Sequence, residues 1–175
     1  MKDLKLKNLV VAWGLLIFLI PAYGQSIQEQ AEEEAVKMIT QIYTEVSGKS
    51  GDQIDWDRVR SFFIEEAVIV LRTSREGSTQ FTVDEFIQDF KDFYKSDAMG
   101  DTGFKEEVIK LKSEVYYDIA YIPVVYEASI LDSDRPPQKG IDFWLLIRKD
   151  KAWRVAAVTN EIIRPGEEIP RMFED

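Results

Sequence analysis

Apolar residues recur along this chain at two spacings, and the change from one to the other divides it. Between Gln25 and Ser47, Ala31, Ala35, Met38, Ile39, Ile42 and Val46 return every three or four positions, while Glu32, Glu33, Lys37, Gln41 and Glu45 take the opposite side. That pattern predicts an amphipathic helix, ended by Gly48 to Gly51. The acidic run Glu32 to Glu34 falls early in it, where negative charge meets the positive end of the helix dipole. Asp55 is placed to cap a short second helix with Trp56, Val59, Phe62 and Phe63 turned inward. Ala67 to Leu71 is β-branched and reads as a strand, and the polar stretch Arg72 to Gln80 reads as a loop. Thr82-Val83-Asp84-Glu85 is a capping box that opens a third helix, with Phe86, Ile87, Phe90, Phe93 and Tyr94 on one side. The small residues between Ser96 and Gly103 stop it.

From Phe104 onward the spacing becomes that of strands. Val108 to Tyr117 and Ile119 to Ile130 are long runs meeting near Asp118, and Pro123 inside the second requires a bulge or an unpaired edge position. Lys139 to Glu161 follows the loop Leu131 to Lys139 and organises the rest. A two-residue turn at Asp150-Lys151 would put Asp142, Trp144, Leu146 and Arg148 on one face with Trp153, Val155, Ala157 and Thr159. Ile141, Phe143, Leu145 and Ile147 would share the other with Arg154, Ala156, Val158 and Asn160. Both faces are mostly apolar, so this hairpin is predicted to be covered on two sides, one cover being a pocket or a subunit partner. Arg148 opposite Trp153 reads as a cross-strand stack. The tail from Arg164-Pro165-Gly166 reads as polar and mobile. Helices early and strands late predict an α+β domain, with three helices against one face of an antiparallel sheet.

Composition narrows the chemistry. The 175 residues fit one domain large enough to bury a core without staples. Cysteine and histidine are both absent, which removes thiol nucleophiles, thiolate metal sites and the commonest general base. Any reaction falls to carboxylates, tyrosines, lysines, arginines or hydroxyls, and no metal or cofactor is expected. The net charge of −10, with no basic stripe to offset it, argues against nucleic acid as a partner. Residues 1–24 read as a secretory signal: Lys2, Lys5 and Lys7, then the apolar run Leu9 to Ile20, then a helix-breaking end with Ala22 and Gly24. The run is shorter than a membrane span. Cleavage after Gly24 would leave a secreted or periplasmic protein with no stable membrane anchor, comprising a domain over 25–163 and a tail over 164–175.

The run Asp57-Arg58-Val59-Arg60-Ser61-Phe62-Phe63-Ile64-Glu65-Glu66-Ala67 resembles the second-helix signature of the nuclear transport factor 2-like superfamily, which includes the SnoaL-like and ketosteroid isomerase-like branches. Trp153-Arg154-Val155 after a charged turn is similar to its closing hairpin. The resemblance spans Ala31 to Ile163. It implies a cone-shaped half-barrel, a strongly curved sheet wrapped on helices with a cavity at the open end, and dimers through the outer sheet face. Members include isomerases, dehydratases and cyclases as well as modules without catalysis, so the fold alone decides no function.

The isomerase branch implies a carboxylate base and two acidic hydrogen-bond donors, a tyrosine and a protonated aspartate. Its base position falls at Leu71, which cannot accept a proton, and Arg72 beside it stays protonated. Asp142 is similar to the branch's aspartate and Tyr43 lies near its tyrosine. An aspartate buried beside Trp144 should have a raised pKa. Trp56, Tyr94, Tyr121, Trp144 and Asn160 complete the pocket candidates, each with a packing role as its plainer reading. Three readings follow: a non-catalytic module binding a small apolar ligand or a protein partner, an isomerase-, dehydratase- or hydrolase-like enzyme using Asp142 and Tyr43, and a homo-oligomeric scaffold. A pocket filled by its own aromatics would reject the ligand, and an outward-facing Asp142 would reject the enzyme.

Overall fold

The computed structural model describes residues 27–72, 76–97, 99 and 101–174; the leader read in 1–24 lies outside them. Helix α1 is described over 27–45, α2 is Trp56–Arg60 and α3 is Val83–Tyr94. The strands are β1 Gly48–Lys49, β2 Phe63–Arg72, β3 Ser78–Phe81, β4 Gly103–Leu111, β5 Glu114–Tyr116, β6 Ile119–Ile130, β7 Gln138–Lys149 and β8 Ala152–Ile162.

Local chemistry accounts for the helices. The periodic residues of α1, from Ala31 to Val46, are buried, and Tyr43 is buried with them. Asp55 caps α2 by accepting from the Arg58 N–H at 2.9 Å. The capping box of α3 is closed both ways: the Glu85 N–H donates to Thr82 Oγ1 at 3.3 Å, and the Thr82 N–H donates to Glu85 Oε2 at 2.8 Å.

All eight strands belong to one curved sheet ordered β1-β4-β6-β7-β8-β2-β3, with β5 also against β6. The sheet is mixed, which corrects the antiparallel expectation: β2 runs parallel to β8. Antiparallel sense is imposed where a tight hairpin joins two strands, and no hairpin joins these two. The expected loop Arg72 to Gln80 is also shortened, since Ser78–Phe81 returns along Ile69–Arg72 as β3. Pro123 sits in a central strand, yet its carbonyl accepts from the Lys112 N–H at 3.1 Å. Its missing donor therefore faces the interruption between β4 and β5, where no ladder bond is forfeited.

The β7–β8 hairpin turns at Asp150-Lys151, both at positive φ (51° and 63°), the geometry of a tight two-residue reversal. Beyond the turn the expected register breaks. Leu146 pairs Val155 but Leu145 pairs Ala157, so Ala156 is an extra residue. This bulge exchanges the parity of β8, and Val158 and Asn160, not Ala157 and Thr159, share the face of Asp142 and Trp144.

That inner face packs on the helices as the main core. On the outer face, Val125 and Ile141 form a second cluster with Phe173. The tail, expected to be mobile, holds Phe173 at 2% exposure. Its carbonyls at Phe173 and Glu174 accept from Lys110 Nζ at 3.4 Å and Lys112 Nζ at 3.2 Å. One cover of the hairpin is therefore the helices, and part of the other is the chain's own end. Leu145 and Ile147 on that outer face remain exposed.

Candidate functional site

Seven elements converge on one cavity. Helix α1 brings Tyr43, β7 brings Asp142 and Trp144, β8 brings Asn160, β6 brings Tyr126, β4 brings Glu106 and β2 brings Leu71, with Phe86 and Phe90 of α3 closing the wall. Together they line a cavity of about 60 Å³. Leu71, Phe90, Glu106 and Tyr126 also line a larger pocket of about 450 Å³, whose outer wall includes Arg72, Phe93, Ala128 and Arg135. The inner cavity thus lies beside a wider one and shares four side chains with it.

The direction of hydrogen bonding in the inner cavity follows from one group. The Trp144 indole N–H can only donate, and it donates to Tyr43 Oη at 3.0 Å. Tyr43 in turn donates its own hydrogen to Asp142 Oδ2 in a short contact. A relay therefore runs Trp144 to Tyr43 to Asp142 and ends on a carboxylate oxygen. Nearby, Asn160 Oδ1 accepts from the Arg72 N–H at 2.6 Å and its Nδ2 donates to Tyr126 Oη at 3.3 Å. Asn160 thus links the end of β2 to β6 across β7.

Burial dominates the electrostatics. Asp142 is pushed up to about 7 by burial, against the Tyr43 hydrogen bond, which favours the ionised form. Glu106 is pushed up to about 8, by burial first and then by the negative charge of Asp142. Burial, then Asp142, raises Tyr43 and Tyr126 above the ordinary phenol value, so both remain protonated donors around neutrality. The pair Asp142 and Glu106 can accept and donate a proton near pH 7 to 8 in a water-poor space, which is what acid–base chemistry or discrimination of a ligand's polar group requires.

Tyr43, Leu71, Asp142, Trp144 and Asn160, singled out from the sequence, come together at this cavity. Trp56 and Tyr94 do not: Trp56 packs with both Phe90 and Tyr94 at centroid distances of 6.1 Å, and Tyr94 Oη donates to the Val46 carbonyl at 2.9 Å. Tyr121 stands on the outer face, stacked on Phe143 at 5.8 Å. Those three are packing residues because strand parity and the α3 stripe turn them elsewhere. Glu106 and Tyr126 were missed. Extending the alternation of β4 back from Val108 through Glu106 to Phe104 places an acid on an apolar parity, which is the signal for Glu106; Ile122, Val124 and Tyr126 carry the same signal on β6. Among the described residues, no group of three or more carboxylates is placed to hold a metal ion.

No family model matches the chain, and no curated protein matches it. Solved structures do. A nuclear transport factor 2-like protein of unknown function from Pseudomonas putida superposes with a TM-score of 0.63 at 14% identity, over 79% of this chain and 91% of that one. A nuclear transport factor 2-like protein with a cystatin-like fold from Novosphingobium aromaticivorans gives 0.61 at 14% identity, over 100% and 99%. A candidate scytalone dehydratase from the same organism gives 0.60 at 12% identity, over 83% and 93%. At these identities the likeness is one of fold.

Proposed function

We propose that the nuclear transport factor 2-like cone of this chain binds a small, uncharged, mainly apolar molecule that enters polar end first. The observation that carries this reading is the apolar cavity at whose inner end Asp142, Tyr43 and Glu106 meet beside a wider aromatic-walled pocket. A concave, largely apolar space with a few convergent polar groups is what small-ligand sites share. The pocket aromatics pack around the space without filling it. The secretory signal expected from the sequence of residues 1–24 favours a ligand met outside the cytoplasm. Calorimetric titration with 2-methoxynaphthalene tests the reading: binding is expected in the parent chain and a loss of at least tenfold in Ala128→Phe, which narrows the wider pocket. Absence of heat with this and related bicyclic probes would reject it.

A second reading is a proton-transferring enzyme of the isomerase or dehydratase kind, favoured by two carboxyls on one cavity, the buried Asp142 and the half-buried Glu106. Leu71 stands where the isomerase branch has its base, so Asp142 or Glu106 would take that role. Deuterium exchange into the α position of 1-tetralone, followed by NMR, discriminates: the enzyme reading expects acceleration that Asp142→Asn abolishes, and the binding reading expects none.

The exposed outer face supports a homodimer. Val68, Ala157, Leu145 and Tyr121 lie in one register across β2, β8, β7 and β6, forming a continuous apolar stripe beside Ile119 and Ile147.

A further inference from the structure

We infer that the inner cavity is specific for a hydroxyl group, whose hydrogen is accepted by Asp142 and whose oxygen accepts from Glu106, with Tyr43 and Trp144 as positioning residues. The inference rests on the ligand reading above and goes further, naming the chemical class of the polar end.

Trp144 spends its only donor on Tyr43, and Tyr43 spends its only donor on Asp142. Neither is left to hold a ligand oxygen, unlike the paired donors that the isomerase resemblance implies. Asp142, fed by Tyr43 at Oδ2, has accepting capacity to offer the cavity and is held in its accepting form. Glu106 is tied down through its backbone, whose N–H donates to Ser47 Oγ at 2.9 Å. Among the described residues its carboxyl makes no hydrogen bond to the protein. With Asp142 charged on the same cavity, Glu106 keeps its proton and is the donor.

A hydroxyl is at once donor and acceptor and satisfies both carboxyls. A ketone or ether satisfies Glu106 alone and leaves Asp142 desolvated without a partner, which is costly. A carboxylate would set a second negative charge beside the ionised Asp142, and an ammonium offers Glu106 nothing to donate to. The inner space of about 60 Å³ suits a small polar group, whereas the neighbouring 450 Å³ suits its ring system.

Protonation sharpens the test. Asp142 must be ionised and Glu106 protonated, which holds best between their values of about 7 and about 8. The charged and titratable groups around them are Tyr43 on α1, Tyr94 and Asp89 on α3, Tyr126 on β6, Arg72 on β2, Glu161 on β8 and Arg135 in the β6–β7 loop. The three tyrosines are all raised, Tyr94 to about 12, so none titrates in this window.

The experiment is calorimetric titration of the full chain with 2-naphthol, 2-methoxynaphthalene, 2-naphthoate and 1-naphthylmethylammonium from pH 5 to 9. The expected result is that 2-naphthol binds at least tenfold more tightly than the other three, with greatest affinity between pH 7 and 8. Tyr43→Phe, which keeps the ring, should move the acidic limb to higher pH. Glu106→Gln, whose amide still donates, should keep the preference and lose the fall above pH 8, whereas Asp142→Leu, which removes the acceptor, should lose the preference over the methyl ether. Equal binding of 2-naphthol and its methyl ether would overturn the inference and leave the ligand reading standing, as would tightest binding of the carboxylate or the ammonium. Failure of all four probes would remove both.

Discussion

Two carboxyls line the inner cavity, and their burial makes the stability of the fold depend on pH. Burial raises Asp142 from 3.8 to about 7 and Glu106 from 4.5 to about 8. Between the ordinary and the raised values the folded chain holds protons that the unfolded chain has released, so stability falls as pH rises. The contribution is complete below about pH 4 and is lost by the time pH has passed through 7 and then 8. With each pKa unit being about 1.4 kcal/mol, the loss amounts to several kcal/mol. Urea unfolding followed by tryptophan fluorescence should show the parent chain weakening from pH 5 to 9, with Asp142→Asn and Glu106→Gln each flattening the slope. Parallel slopes in all three proteins would mean that neither carboxyl is buried in solution. Gly140 makes a second residue-scale case. A Cβ there would lie 2.3 Å from the Tyr126 ring, so Gly140→Ala must push Tyr126 out of the cavity wall. The expected cost is about 1–3 kcal/mol, together with weakened binding of 2-methoxynaphthalene.

At the scale of elements, the closing hairpin decides which residues reach the cavity. Its turn holds Lys151 at φ 63°, a left-handed conformation that costs a non-glycine residue about 1 kcal/mol or more. Lys151→Gly should therefore raise stability by about that amount with no change at the site, measurable as a higher urea midpoint. The bulge at Ala156 shapes the site itself, since with that extra residue looped out Asn160 stands opposite Asp142. Deleting Ala156 would leave the same partners in regular pairing, with Val158 and Asn160 still on the cavity face, so the Asn160 bonds to the Arg72 N–H and Tyr126 should persist. Retained probe binding with the fold intact by circular dichroism is the expected outcome. The helices, β6 and the hairpin's turn were legible because caps, periodicity and turn chemistry are local. The bulge was not, because an extra residue is invisible to alternation until both partner strands are in place.

For the whole molecule, the outer sheet face matters most. The chain's end shields Val125 and Ile141 with Phe173, and Leu145, Ile147 and Ile119 stay exposed at 49%, 39% and 57%. Phe173→Ala should cost about 3–5 kcal/mol and enlarge the apolar surface. The proposed dimer would use what the tail leaves uncovered, so Leu145→Glu should yield a monomer in sedimentation at micromolar concentration, where the parent is a dimer. A monomeric parent would remove the dimer without touching the cavity.

The sequence by itself determined where helices give way to strands, how α2 and α3 begin, which stripe of each helix faces inward, and that Asp142 is an acid among aromatics. These depend on spacing and on neighbours within a few residues. Only the tertiary structure decided that β2 lies parallel to β8, that the tail packs on the sheet, and that Glu106 shares a cavity with Asp142. Those outcomes join residues far apart in the chain, where one bulge or one unconstrained strand direction changes which side chains meet. The resulting carboxyl pair depends on position: burial of both, and the charge of Asp142 acting on Glu106, raise the pKa values.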